Sequence, residues 1–161
     1  GDLTFNQHTI RFNSVGVRLY GANNSVTGNI ISDNSGDALT LVGNGIPSVL
    51  ANSANLISQN QFGNNGGHAI DLTETGNNGD GVTINDDGDP DTGANALLNY
   101  PIIESAQITG PNLVVNGFAL PGTNVEFYIA DADPSGFGEG VTYLFSAVEG
   151  SGADTDATSG T

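Results

Sequence analysis

The sequence contains no cysteine, no methionine and no tryptophan. Without cysteine there are no disulfide staples and no thiol chemistry, and the usual indicator of redox compartment is missing. Basic side chains are nearly missing too. Arg11 and Arg18 stand alone against eighteen acids, for a formal net charge of -16. Such a chain repels phosphate backbones and anionic membrane surfaces, so nucleic acid is not expected as a partner and cations are favoured. No apolar run approaches the ~20 residues of a spanning helix, so membrane insertion is not expected. No signal peptide is evident, and a start at Gly1 without any methionine reads as a processed end or the edge of a larger protein. Helical periodicity is also lacking, with no apolar stripe behind a capped start. What is present is Gly, Asn, Ser and Thr punctuated by β-branched and aromatic residues, which predicts an all-β chain.

The first half repeats. Asn24, Val26, Asn29, Ile31, Asn34, Gly36, Leu39 and Leu41 are matched 31 positions on by Asn55, Ile57, Asn60, Phe62, Asn65, Gly67, Ile70 and Leu72. A third copy lies 21 positions back, with Phe5, His8, Ile10 and Asn13. Segments such as Val17-Arg18-Leu19, Leu39-Thr40-Leu41 and Ile70-Asp71-Leu72 alternate apolar and polar faces. Asn and Gly between them permit tight left-handed corners. No copy can bury its apolar face alone, so the copies must stack. Stacking predicts interior columns Ile10–Ile31–Phe62, Val17–Leu39–Ile70 and Leu19–Leu41–Leu72, with an asparagine ladder Asn13–Asn34–Asn65 at a corner. Gly45-Ile46-Pro47-Ser48 reads as a loop bulging from the stack.

This N…G…N-I…N…G-I-x-L pattern, over roughly residues 3 to 75, resembles the right-handed parallel β-helix of the pectin-lyase-like superfamily. The continuation through Asp80-Gly-Val-Thr-Ile-Asn-Asp-Asp-Gly-Asp-Pro-Asp, and the later Asp131-Ala-Asp-Pro-Ser-Gly-Phe-Gly-Glu-Gly, resemble segments of large secreted or surface bacterial proteins in which an immunoglobulin-like module follows. The resemblance implies an extracellular location and modular construction, and it supplies no catalytic activity.

The division expected is therefore 1–78 for about three β-helix coils, 79–100 for an acidic Asp/Gly/Asn-rich junction, and 101–161 for an antiparallel β-sandwich. Four strands are predicted there: Pro101–Ile108, Asn112–Phe118, Thr123–Ala130 and Val141–Val148, with Asp131–Gly140 as a long hairpin loop. An immunoglobulin-like sandwich has about seven strands, so this one is short of strands. A longer parent protein, or a strand donated by a neighbour, would complete it.

The strongest candidate site is a calcium site in the junction, formed by Asn85, Asp86, Asp87, Asp89 and Asp91. Carboxylates and amides at close spacing can converge on a hard cation that takes six to eight oxygens. It is not an EF-hand, because the twelfth position from Asp87 is Leu98. The bland alternative is an acidic solvated linker. Asp131, Asp133 and Glu139 form a weaker second candidate. Catalysis has thin support: stacking places Arg18, Thr40 and Asp71 in one outward column and Asp37 beside His68, pairs more often structural than chemical. His8 and His68 are too far apart for a transition-metal site.

The expected function is a structural or adhesive module of a secreted or cell-surface bacterial protein, stabilised by calcium, and not an enzyme. The first alternative is a subunit of an extracellular filament completed by strand donation or end-to-end stacking. The second is the non-catalytic part of a carbohydrate-active β-helix enzyme. Expected partners are other protein modules, or copies of the chain itself meeting at open sheet edges, with polysaccharide as a further candidate.

Overall fold

The computed structural model describes residues 3–43, 54–73, 81–133, 136, 138–152 and 154–155. The loop expected at Gly45–Ser48 and the expected boundary at residue 78 lie outside the described residues. Among those residues the chain is nearly all β, and no helix is long and apolar enough to cross a membrane.

Nine short strands fill the first half. They are β1 (Thr4–Asn6), β2 (Thr9–Arg11), β3 (Val17–Tyr20), β4 (Ser25–Thr27), β5 (Ile30–Ser32), β6 (Leu39–Val42), β7 (Leu56–Ser58), β8 (Gln61–Gly63) and β9 (Ile70–Leu72). The chain returns to the same sheet at every third strand, giving three parallel sheets ordered β1-β4-β7, β2-β5-β8 and β3-β6-β9. Three levels are thus stacked: β1–β3, β4–β6 and β7–β9. This is a β-helix-like repeat.

The register follows the apolar columns read from the repeat. Ile10 pairs with Ile31 and Ile31 with Phe62. Val17, Leu39 and Ile70 align, as do Leu19, Leu41 and Leu72. Val26, Ile31, Leu39 and Leu41 are essentially inaccessible, and with Leu19, Ala38, Phe62 and Ala94 they form the core. Two residues of the last level depart from expectation. Ile70, placed inside by alternation, ends its column and is 42% exposed, whereas Asp71, placed outside, is 3% exposed.

The corners explain why strands this short hold register. Each level bends at residues in the left-handed region: Gln7, Phe12, Asn23, Gly28, Asp33, Ala54, Gln59 and Asn64 all have positive φ. The residue after each of these is His8, Asn13, Asn24, Asn29, Asn34, Asn55, Asn60 or Asn65. The left-handed residue turns the chain, and the following amide bonds the neighbouring level.

Glycine is needed at the corners for a second reason, close approach. A Cβ on Gly66 would collide with the Ser35 carbonyl, and one on Gly36 with that of Ser14, whereas Gly152 faces open space. Gly66→Ala is therefore expected to cost ~1–3 kcal/mol in urea denaturation, with Gly152→Ala within ~0.5 kcal/mol of the parent. Equal effects at the two positions would sink the close-approach explanation.

Beyond the stack, a short turn at Ala94–Leu97 leads to four longer strands: β10 (Ile102–Thr109), β11 (Asn112–Phe118), β12 (Asn124–Ala130) and β13 (Gly140–Val148). They pair as two antiparallel two-stranded sheets, β10-β11 and β12-β13. Phe127 stacks on Phe145, and Tyr128 meets Tyr143 edge-on. Between the sheets lies an open cleft of about 300 Å³, lined by Leu113, Val115, Val125, Phe127, Phe145 and Ala147 among others. The four expected strands are present to within a residue at each end.

Candidate functional site

Three corners of the stack carry hydrogen-bonded amide ladders, and all three run with one polarity. In the ladder expected from the sequence, Asn13 N–H and Nδ2 donate to Asn34 Oδ1 at 3.0 and 3.2 Å. Asn34 in turn donates from the same two atoms to Asn65 Oδ1, at 3.1 and 2.8 Å. Asn24 donates in this way to Asn55, and Asn29 to Asn60. Each lower amide oxygen accepts two donors from the level before it. The last level therefore presents donors that need acceptors.

Those acceptors come from the second half of the chain. Asn95 Oδ1 accepts from Asn55 N–H at 3.1 Å and from its Nδ2 at 3.2 Å, and Asn95 Nδ2 donates back to Asn55 O. Asn95, Ala96 and Leu97 all hold left-handed backbone, a strained arrangement that places this amide; Ala94 beside it joins the core and Leu97 is buried. Glu126 accepts from Ser58 Oγ, from Gln59 N–H at 2.8 Å and from Tyr128 Oη. Glu139 accepts from Asn65 N–H at 2.8 Å and from Asn65 Nδ2 at 2.6 Å. A carboxylate thus stands where a fourth asparagine would.

Glu139 is 1% exposed. Its burial, followed by the neighbouring charges of Asp131 and Asp133, raises its pKa above the ordinary carboxyl value, against the opposing pull of the Asn65 donors. Tyr128 is likewise raised, first by burial and then by its bond to Glu126. Asp131, Asp133 and Glu139 bring their oxygens within 4.8 Å of one another, the one such acidic group of three among the described residues. Part of that capacity is already engaged: Asn65 uses both oxygens of Glu139, and Asp131 Oδ1 accepts from Glu139 N–H at 3.1 Å.

The junction residues occupy a loop pinned by asparagine. Asn85 Nδ2 donates to Tyr100 O at 2.7 Å, and Tyr100 N–H donates to Asn85 Oδ1 at 3.0 Å. Asn99 closes the loop by accepting from Asp86 N–H, donating from Nδ2 to Asp86 O and donating from N–H to Asp89 Oδ1. Asn99 is buried and was not singled out by the sequence reading, although its place between two loop arms is marked by the acidic run it faces. Asp86 Oδ1 is buried without a hydrogen-bond partner. Desolvation, then the charges of Asp91, Asp89 and Asp87, raises the Asp86 pKa. Asp86 Oδ1 is open to a hard cation, but the junction acids do not converge on it: no three of Asp86, Asp87, Asp89 and Asp91 bring carboxylate oxygens within 4.8 Å of one another.

Asp37 and His68 do meet. Asp37 Oδ1 accepts from His68 N–H at 2.9 Å and lies 3.6 Å from His68 Nδ1, while Thr40 Oγ1 donates to Asp37 Oδ2 at 3.2 Å. Here the hydroxyl gives its proton to the carboxylate rather than to the imidazole. That is not the order in which a base activates a nucleophile. Arg18, Thr40 and Asp71 share a column, but it is not the outward one expected, since Thr40 is 0% and Asp71 3% exposed and only Arg18 is open to solvent. No family model, no curated protein and no solved structure matches this chain.

Proposed function

We propose that the chain is a structural or adhesive module of a secreted or cell-surface bacterial protein. In this reading it is a short right-handed parallel β-helix joined to an incomplete immunoglobulin-like sandwich and stiffened by calcium at the acidic junction. The observation that carries the reading is the capping of two ladders, by Asn95 and by Glu139, with Glu126 bonded to Ser58 and Gln59 beside the third. Through those bonds the stacked levels and the later strands behave as one hydrogen-bonded body, which suits a spacer that must transmit position along a larger assembly. Calcium is supported by Asp86 Oδ1 and by the mutual repulsion of the junction carboxylates, which a divalent cation relieves.

The test is thermal unfolding in millimolar CaCl2 against EDTA and against MgCl2. A site a hundredfold saturated adds ~2.7 kcal/mol, or ~5–10 °C for a chain of this size. Asp87→Ala/Asp89→Ala/Asp91→Ala should abolish the shift, while Asp131→Ala/Asp133→Ala should leave it. A shift lost only in the second variant would move the metal to the other acidic group. No shift in the parent would end the calcium reading.

Strand donation within a filament is the second reading. It draws on the open cleft between two two-stranded sheets and on exposed Ile103 and Ile108 at their margins. Electron microscopy of purified chain separates the two, since only this reading predicts a regular fibre.

A further inference from the structure

The corner ladders are built from asparagine, and asparagine followed by glycine is the pair in which a side-chain amide is most easily lost. The amide nitrogen of glycine has no Cβ beside it to hinder approach to the preceding Cγ, and glycine's free backbone permits that approach. Asn13 and Asn34 are followed by Ser14 and Ser35, Asn24 by Ser25, Asn29 by Ile30, Asn55 by Leu56, Asn60 by Gln61 and Asn95 by Ala96. Among the ladder asparagines, Asn65 alone is followed by glycine, Gly66. Packing keeps that glycine in place, since a Cβ on Gly66 would lie 2.4 Å from Ser35 O. The reactive pair therefore sits at the last rung of its ladder, the one that meets Glu139.

In the folded chain the polar groups of that reaction are all engaged. Asn65 Oδ1 accepts from the N–H and Nδ2 of Asn34. Asn65 Nδ2 donates to Ile31 O at 2.9 Å, to Gly63 O at 3.4 Å and to Glu139 Oε1 at 2.6 Å. Gly66 N–H donates to Asn34 O at 2.9 Å, so the attacking nitrogen is aimed at the neighbouring level rather than at Asn65 Cγ. Asn65 is buried, which keeps out the water the reaction consumes. Of these contacts only the ones to Glu139 come from outside the stack, so only they can be lost while the levels stay stacked. Asn116-Gly117 supplies the contrast: Asn116 is exposed, and its Nδ2 donates to Ser105 Oγ at 2.8 Å.

We propose that Asn65-Gly66 is a site of spontaneous deamidation guarded by Glu139, and that the modification releases β12 and β13 from the stack in one direction only. When Glu139 withdraws, Gly66 N bonds to Asn65 Cγ and the Cγ–Nδ2 bond breaks. The Gly66 proton passes to the leaving nitrogen, which departs as ammonia. Water then opens the succinimide ring to aspartate or isoaspartate, so no oxidant or enzyme is required. Either product removes the Nδ2 donor and sets a carboxylate against Glu139 Oε1 and the carbonyls of Ile31 and Gly63, which are all acceptors. Isoaspartate also inserts an extra methylene ahead of Gly66, whose bond to Asn34 O fixes the corner. Two buried carboxylates without the amide donor between them repel, and the cap does not close again. This inference stands apart from calcium and from location, so the calcium titration can fail without touching it.

The experiment ages the whole chain in mildly alkaline buffer and follows Asn65 and Asn116 by peptide mass mapping, with isoaspartyl peptides resolved chromatographically. In the folded parent Asn116 should deamidate at least ~10-fold faster than Asn65, and in denaturing urea the two should agree within ~3-fold. Glu139→Ala should speed Asn65 by ~10-fold or more without changing Asn116, whereas Glu139→Gln, which keeps an acceptor, should not. Asn65→Asp, made directly, should speed hydrogen exchange in β12 and β13 while β4, β5 and β6 stay protected. Equal rates at Asn65 and Asn116 in the folded parent overturn the guard, and so does an Asn65 rate that Glu139→Ala leaves unchanged. Unchanged exchange in Asn65→Asp overturns the release. If Glu139→Ala does not fold, the parent in sub-denaturing urea takes its place. Asn65 must then accelerate while the far-ultraviolet signal is still native, and acceleration only with global unfolding overturns the inference.

Discussion

Glu139→Ala is expected to lower the stability of the chain by ~2–4 kcal/mol at neutral pH in urea denaturation. The variant orphans the Asn65 N–H and removes one acceptor of Asn65 Nδ2, which keeps Ile31 O and Gly63 O, and Asn65 is 3% exposed. Each orphaned buried donor costs ~1–3 kcal/mol. Removing a desolvated carboxylate that faces Asp131 and Asp133 offsets part of this. The loss should also be felt at a distance, because Glu139 lies 74 residues from Asn65 and links β13 to the β8 corner. Unfolding followed separately by near-ultraviolet signal from Tyr128 and Tyr143 and by far-ultraviolet signal should be coincident in the parent and split in the variant. A coincident transition at unchanged midpoint would show that Glu139 is not a cap.

Glu139→Gln separates geometry from charge. In the ladders one amide oxygen accepts two donors, as Asn65 Oδ1 does from Asn34, and a glutamine oxygen at position 139 can do the same. The variant is expected within ~1 kcal/mol of the parent at neutral pH, far milder than alanine. Its pH dependence should differ in a defined sense. The folded carboxyl holds its proton to higher pH than the unfolded one, whose ordinary value is 4.5. The stability it contributes is complete below that value and is lost as pH rises through the raised folded value. The parent should therefore lose stability relative to Glu139→Gln as pH is raised from about 4.5. Asp86 acts in the same direction and Asp33 in the opposite one, but both are common to the two proteins and cancel in the difference. A flat difference curve would mean that Glu139 is not desolvated in the native state.

Much of the stack could be read before the structure, because its determinants are local and repeated. Columns such as Ile10–Ile31–Phe62 follow from spacing and alternation, and the ladder Asn13–Asn34–Asn65 follows from the same alignment. The other two ladders had an equally local signal that the alternation pattern hides. Asn24, Asn29 and Asn34, and again Asn55, Asn60 and Asn65, recur every five residues, each after a residue in left-handed backbone. Five residues is one three-residue strand plus a corner. The caps had no such signal. Glu126 and Glu139 sit in strands and loops whose own pattern says only that they are polar, and their partners lie 67 and 74 residues away. Glu139 was visible as an acidic neighbour of Asp131 and Asp133, and its role as a ladder terminus depends on tertiary placement alone. The exposure of Ile70 has the same origin, since alternation assigns faces and the end of a stack decides exposure; the burial of Asp71 does not, because Thr40, its partner in the middle level, is 0% exposed as well.

Asn29→Leu should be the most damaging single change of similar volume, with an expected loss of ~3–5 kcal/mol. Asn29 is 0% exposed and sits midway along its corner. Its Oδ1 accepts from His8 N–H at 2.9 Å, and its Nδ2 donates to Phe5 O, to Thr27 O and to Asn60 Oδ1 at 3.1, 3.1 and 2.9 Å. Leucine fills the space and satisfies none of these groups, so the His8 N–H and the carbonyls of Phe5 and Thr27 lose a partner at once, and Asn60 Oδ1 loses one of its two donors. Asn13→Leu is the comparison, since Asn13 is exposed in the first level and water can replace what it loses. The ladder reading predicts an effect at position 29 at least twice that at position 13, with hydrogen exchange accelerated in β1, β2 and β4 before it spreads. If Asn29→Leu proved as stable as the parent, the core columns alone would hold the levels in register. The amide ladders would then be a consequence of the stacking rather than one of its causes.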